Sequence, residues 1–171
     1  TDGTGAGALF TEPRDIVIDR SGNFFVSDLQ NHNIRKITPA GVVSTFAGST
    51  NGFRDGTGTG TQFYGPMGLG FDISGNLFVA DAANNRIRMI TPNGVVSTVA
   101  GQTNAGSANG TGAAASFNQP SGVAVDASGV IYVADNLNNL IRKISVGVVS
   151  TVAGGSQDFF SGYASGTAVS F

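Results

Sequence analysis

The chain has 171 residues, a mass of 17.3 kDa and a net charge of −2, a size that suggests one domain or a large part of one. Charged residues are only 12% of it, about half of the ~25% usual in globular chains, and Gly (26) with Pro (5) stays below the roughly 25–30% that marks low-complexity disorder. No apolar run approaches the ~20 residues of a membrane-spanning helix, zero Cys excludes disulfides and thiolate chemistry, and nine scattered Lys and Arg argue against a nucleic-acid partner.

The informative pattern is internal repetition. Segment 10–48 reads FTEPRDIVIDRSGNFFVSDLQNHNIRKITPAGVVSTFAG, segment 63–101 reads FYGPMGLGFDISGNLFVADAANNRIRMITPNGVVSTVAG, and segment 117–154 reads FNQPSGVAVDASGVIYVADNLNNLIRKISVGVVSTVAG. Asp28, Asp81 and Asp135 align at steps of 53 and 54 residues. Each copy holds four short runs rich in Val, Ile, Phe and Leu. In the second copy they cover 68–72, 76–81, 86–91 and 95–100, separated by Ser74-Gly75, Asn84-Asn85 and Pro92-Asn93-Gly94. Those are strand and hairpin signals, and no 3.6-residue apolar period is sustained for ten residues, so helix is not expected. The first run of each copy is apolar throughout, as in a strand covered on both faces. The third is mixed, with Ile34 and Ile37 around Arg35-Lys36, and belongs further from the centre. Small sheets with two apolar faces need a sheet on each side, and radial stacking of such sheets gives a β-propeller of four to eight blades. The expectation is therefore an all-β chain of three four-stranded blades at about 11–48, 64–101 and 118–154, with 1–10 and 155–171 as connector or closure segments.

The blocks VSDLQNHNIRKI, VADAANNRIRMI and VADNLNNLIRKI, each preceded by PxxxxxD and a Gly turn, resemble NHL repeats over all three copies. The long form, with VVSTxAG as a fourth strand and a DGTG…F connector, resembles bacterial proteins of that group. The resemblance implies a six-bladed propeller with four antiparallel strands per blade. Three blades form an open arc whose end faces exceed the apolar patch tolerated on a monomer. A head-to-tail homodimer closing a six-bladed ring is the expected arrangement, and a fragment of a longer chain is the rival. In the dimer the connector 1–10 and the tail compete for one seat; Phe159, Phe160, Tyr163 and Phe171 make the tail the more aromatic contender.

Asp19, Asp72 and Asp126 end the first run, and Asp28, Asp81 and Asp135 end the second. A ring of carboxylates for a cation is one reading. Recurrence in every copy favours the other, in which each Asp accepts hydrogen bonds from the following turn. Arg35, Arg88 and Arg142 follow the second Asp by seven residues, which suits partly buried Arg–Asp pairs that stitch blades. His32 is the only His; at a turn position it cannot build the several-His zinc site of the lyases that resemble this fold. The calcium of lactonase-like propellers needs six to eight oxygens, and Glu12 is the only Glu. Arg14 and Asp15 stand where the other copies carry Met67-Gly68 and Ser121-Gly122, so they break the repeat beside an inner strand and are the candidate channel or rim residues. The polar, nearly uncharged connectors suit protein or carbohydrate contacts. The sequence thus reads as a non-enzymatic binding scaffold without cofactor or metal, extracellular or on a bacterial cell surface. A lactonase- or lyase-like enzyme with a channel metal and a filament-forming structural protein are the alternatives.

Overall fold

The computed structural model describes residues 1–155. It is all-β, with the strands β1 (Gly3–Thr4), β2 (Pro13–Ile18), β3 (Phe24–Asp28), β4 (Asn33–Ile37) and β5 (Val42–Gly48) in the first repeat. The second holds β6 (Gly56–Thr57), β7 (Pro66–Phe71), β8 (Leu77–Asp81), β9 (Arg86–Ile90) and β10 (Val95–Gly101). The third holds β11 (Gly110–Thr111), β12 (Pro120–Val125), β13 (Ile131–Asp135), β14 (Leu140–Ser145) and β15 (Val148–Gly154). Each repeat makes one antiparallel sheet, ordered β1-β5-β4-β3-β2 in the first and likewise in the others. The strand-rich runs are Val-, Ile- and Phe-containing, as a pleated and half-buried surface requires; Asp-x-Ser-Gly turns join the inner two in each repeat, and Pro-x-Gly turns the outer two in the first and second, replaced by Val146-Gly147 in the third.

Each sheet has five strands, where four per blade were expected. The fifth is the two-residue Gly-Thr segment of the preceding connector, which pairs with the outer strand (Gly3↔Val43, Gly56↔Val96, Gly110↔Val149). Two residues leave no readable alternation, but they cover part of an outer edge that would otherwise carry unpaired backbone groups. Directly after each, the chain makes a single 3-10 turn (Gly5–Gly7, Gly58–Gly60, Gly112–Ala114). A second 3-10 turn follows each middle strand and ends at His32, Asn85 or Asn139, all left-handed at φ 54°.

Two apolar clusters lie between the sheets. Phe25, Ile34 and Ala47 of the first blade meet Phe63, Leu69, Leu77 and Val79 of the second. Phe78, Ala80 and Ile87 of the second meet Phe117, Ile131 and Val133 of the third. Phe63 and Phe117 are fully buried wedges from the connectors. Gly48 and Gly101 receive them: a Cβ there would stand 2.9 and 3.1 Å from the Phe63 and Phe117 rings, and φ is +93° and +101°. At the inner strands Gly68 lets the third blade approach, since a Cβ would lie 2.6 Å from the Gly122 Cα.

Removing a wedge leaves a cavity that the flanking sheets cannot both fill. Phe63→Ala is expected to lower stability by about 3–5 kcal/mol, read as a shifted midpoint in urea denaturation.

Candidate functional site

The recurring carboxylates fall into two sets with different partners. Asp19 Oδ1 accepts from the backbone N–H of Ser21 and Asn23, both at 2.8 Å, and the Asn23 side-chain amide donates to Oδ2 at 2.7 Å. Asp72 repeats this with Ser74 and Asn76, and Asp126 with Ser128 and Val130. These close the turns between the first and second strands of each repeat. For Asp19, burial raises the carboxyl pKa, but the Asn23 side chain, the Asn23 and Ser21 amides and the Lys36 charge outweigh it and hold it below the usual value. For Asp126 the Ser128 hydroxyl leads, followed by the Val130 amide, with the same downward direction.

The second set faces backward along the chain. Asp28, Asp81 and Asp135 are fully buried and accept from the N–H of Thr11 (2.6 Å), Tyr64 (2.8 Å) and Asn118 (2.7 Å), seventeen residues earlier. Their other oxygen takes the side-chain amide of Asn31, Asn84 or Asn138 at 2.8 Å. It also takes the guanidinium of Arg35 (3.2 Å), Arg88 (2.7 Å) or Arg142 (2.8 Å). Arg35, Arg88 and Arg142 therefore do not stitch blades. Each pairs inside its own blade, because the Asp and the Arg stand on adjacent strands, and its second nitrogen ties down the connector. Arg88 Nη2 donates to the Arg54 carbonyl (3.0 Å) and Asp55 (2.6 Å). Arg35 does so to the Thr1 carbonyl and Asp2, both at 2.9 Å, and Arg142 to the Ala108 carbonyl (3.0 Å) and Asn109 (2.9 Å). Asp2, Asp55 and Asn109 carry one signal in the sequence, their shared place before Gly-Thr-Gly, but nothing local names their Arg partner. The guanidinium of each Arg also lies about 5 Å from a connector Phe: Phe10, Phe63 or Phe117.

Arg14 and Asp15 separate. Arg14 is exposed and stands 3.5 Å from Glu12, a solvated pair with both side chains about half exposed. Asp15 is a strut between blades: its Oδ2 accepts from the Leu69 N–H of the next inner strand at 2.8 Å. His32 Nδ1 accepts from the Gly65 N–H at 3.3 Å. Among the described residues no group of three or more His, Asp or Glu side chains is arranged to hold a metal ion. A cleft of about 410 Å³ opens between the first two blades, with Phe25, Phe46, Phe71 and Ile90 inside and Arg20 and Lys36 in its lining. A hollow of about 350 Å³ lies on the uncovered face of the first blade, lined by Phe10, Arg14, Ile16, Val26 and Ile37.

The NHL-repeat family model matches residues 117–144. NHL repeat-containing protein 2 of Bos taurus is 43% identical over 84 residues, 48% of this chain. The chain carries an NHL repeat. It spans 11% of that relative's length. A Bacteroides thetaiotaomicron structure described as a protein of unknown function superposes with a TM-score of 0.72 at 31% identity, covering 82% of this chain and 36% of its own. Virginiamycin B lyase of Staphylococcus aureus shares the fold at a TM-score of 0.62 and 15% identity, over 86% of this chain and 43% of its own. The three sheets of the chain are β-propeller blades, packed face to face.

Burial pushes the Asp81 carboxyl above its usual value even beside Arg88, so Arg88→Met, which leaves that buried Asp without its cation, is expected to cost about 3–5 kcal/mol. Asp55→Asn, on a side chain 45% exposed, is expected to cost under about 1 kcal/mol; chemical denaturation separates the two. Asp19 and Asp126 have folded pKa values below the unfolded carboxylate value. Their contribution is present above that value and lost as pH falls through the folded one. The double variant Asp19→Asn/Asp126→Asn is expected to flatten the acid side of the stability–pH curve.

Proposed function

We propose that this NHL chain is a non-enzymatic binding scaffold whose three-blade arc closes head-to-tail with a second copy into a six-bladed ring. The observation that carries the reading is the state of the two end sheets. On the uncovered face of the first blade Ile16 and Ile18 are 56% and 59% exposed, whereas Leu69, at the register of Ile16, is 3% exposed inside the arc. On the uncovered face of the third blade Ile141 is 43% exposed, whereas Ile34 and Ile87 at the same register are fully buried. Two faces built like blade interiors call for two sheets to cover them, and a heterologous contact that closes on itself supplies both.

A scaffold rather than an enzyme is supported by what the polar residues do. The recurring Asp and Arg side chains spend their hydrogen bonds on turns and connectors, and the repeat-breaking Asp15 spends its own on the next blade. The surface left for contacts is the loops, above all the connectors 49–60 and 102–115, whose Gly, Thr, Ser and Asn residues suit a protein or carbohydrate ligand. Low charge and these polar loops support placement outside the cell.

Light scattering coupled to size exclusion, over a range of concentrations, tests the assembly. A species of twice 17.3 kDa is the expected result. A folded monomer at all concentrations overturns it, and open-ended growth replaces the ring with a filament or with blades supplied by a longer chain.

A further inference from the structure

The same devices hold one blade to the next at both internal junctions. A connector Phe wedges over a left-handed Gly: Phe63 on Gly48 and Phe117 on Gly101. Two residues after the wedge, a backbone N–H with positive φ donates to the side chain of the residue that closes the previous blade's 3-10 turn. Gly65 (φ 61°) donates to His32 Nδ1 at 3.3 Å, and Gln119 (φ 49°) to Asn85 Oδ1 at 2.9 Å. At the second junction the inner strands also close to backbone contact, where the first junction has Asp15 and Val17 between them. Gly68 and Gly70 sit against the backbone of Gly122 and Val123.

Each device has an unused half at the two ends of the arc. Asn139 is left-handed at φ 54° like His32 and Asn85, but it is exposed, and its side chain accepts no bond among the described residues. Glu12 has φ 58° like Gly65 and Gln119, and its N–H donates to nothing among the described residues. Gly154 holds φ 95° like Gly48 and Gly101. Phe10 is partly buried, with the Arg35 guanidinium 5.0 Å from its ring centre, as Arg88 is from Phe63. Gly122 and Ala124 stand at the register of Gly68 and Gly70, and at the opposite end of the arc Ile16 and Ile18 are exposed.

We propose that the bare edge of the third blade is a docking site for the first blade and connector 1–12 of a second copy. Phe10 of the partner subunit seats over Gly154 beside Ile141, and Asn139 accepts from the N–H of Glu12 of the partner subunit. The proposal rests on the ring-closure reading and adds which segment fills the seat. The competing segment is the chain's own tail, where Phe171 follows Phe117 by 54 residues and lies outside the described residues. Connector 1–12 is favoured because it is already built onto its blade. Arg35 holds the carbonyls of Thr1 (2.9 Å) and Leu9 (3.0 Å) and the Asp2 carboxylate (2.9 Å), and β1 pairs with β5. Little ordering remains to be done on binding, which favours affinity.

The test uses the full chain. Phe10→Ala is expected to weaken self-association at least about tenfold in light-scattering dilution series, as loss of a buried aromatic anchor does, while Phe171→Ala leaves it unchanged. Association that survives Phe10→Ala, or that Phe171→Ala weakens equally, overturns the assignment. Thermal melts of both variants check that the arc still folds. Ile16→Asp and Ile141→Asp, both at positions exposed in the arc, give a second reading that does not depend on the wedge. Each alone is expected to abolish the dimer, and an equimolar mixture restores one through its single intact junction. A face that pairs with itself would leave one of these variants dimeric on its own, and that result overturns the head-to-tail geometry. A wild-type chain that is monomeric throughout defeats the ring closure as well. A wild-type dimer indifferent to Phe10 defeats only the docking assignment.

Discussion

The structure depends on a buried guanidinium used three times. Arg35, Arg88 and Arg142 are at most 1% exposed, and each holds a buried Asp with one nitrogen and the connector backbone with the other. A buried ion pair is a weak source of net stability, because desolvation offsets the attraction, but breaking it is costly. Its consequence here is positional. By fixing the connector, it sets the phenylalanine in front of the sheet, and that ring becomes the wedge against the previous blade. The Nε of all three has no hydrogen-bond partner among the described residues. Each guanidinium is instead faced by a connector Phe about 5 Å away, where a cation over a ring recovers part of the desolvation cost.

Blade-to-blade contact follows from that placement. No sheet here can bury both of its faces by itself, so stability in such an array comes from neighbours. The second blade, with a sheet on either side, has β8 buried along its whole length. Among the described residues the first and third each keep one bare face. Spacing along the arc is uneven for an equally local reason. Asp15 and Val17 stand between the first two inner strands, while Gly68 and Gly70 let the second and third close to backbone contact.

Individuality lies in the positions that escape the repeat. Asp15 replaces a glycine and becomes a hydrogen-bonding strut. Lys36 stands where Met89 packs against the core at the next junction, and the cleft between the first two blades is open and lined by it. His32 does with an imidazole nitrogen what Asn85 does with an amide oxygen. Substitutions of this kind are tolerated because the repeat's framework is carried by the Asp–Arg pairs and wedges.

Much of this was legible in the chain itself. The 53- and 54-residue steps gave three blades, the four runs of the second repeat match β7 to β10 within two residues, and the turn-closing Asp19, Asp72 and Asp126 could be read from their Asx spacing. The partners of Arg35, Arg88 and Arg142 could not. Sequence spacing names an Asp seven residues away, but whether the pair spans one blade or two depends on which strands lie side by side. The fifth strand was hidden for a similar reason, since two residues carry no period and pair only because the outer edge is there to receive them. Arg14 and Asp15 looked like one rim pair because they are adjacent, yet successive residues of a strand point to opposite faces; one reaches solvent and Glu12, the other the Leu69 amide. The sequence by itself determined the all-β class, the repeat and the residues each blade must bury, because those follow from local pattern. Only the tertiary structure decided which polar group meets which and which two faces stay bare, because those depend on contacts between segments far apart in the chain.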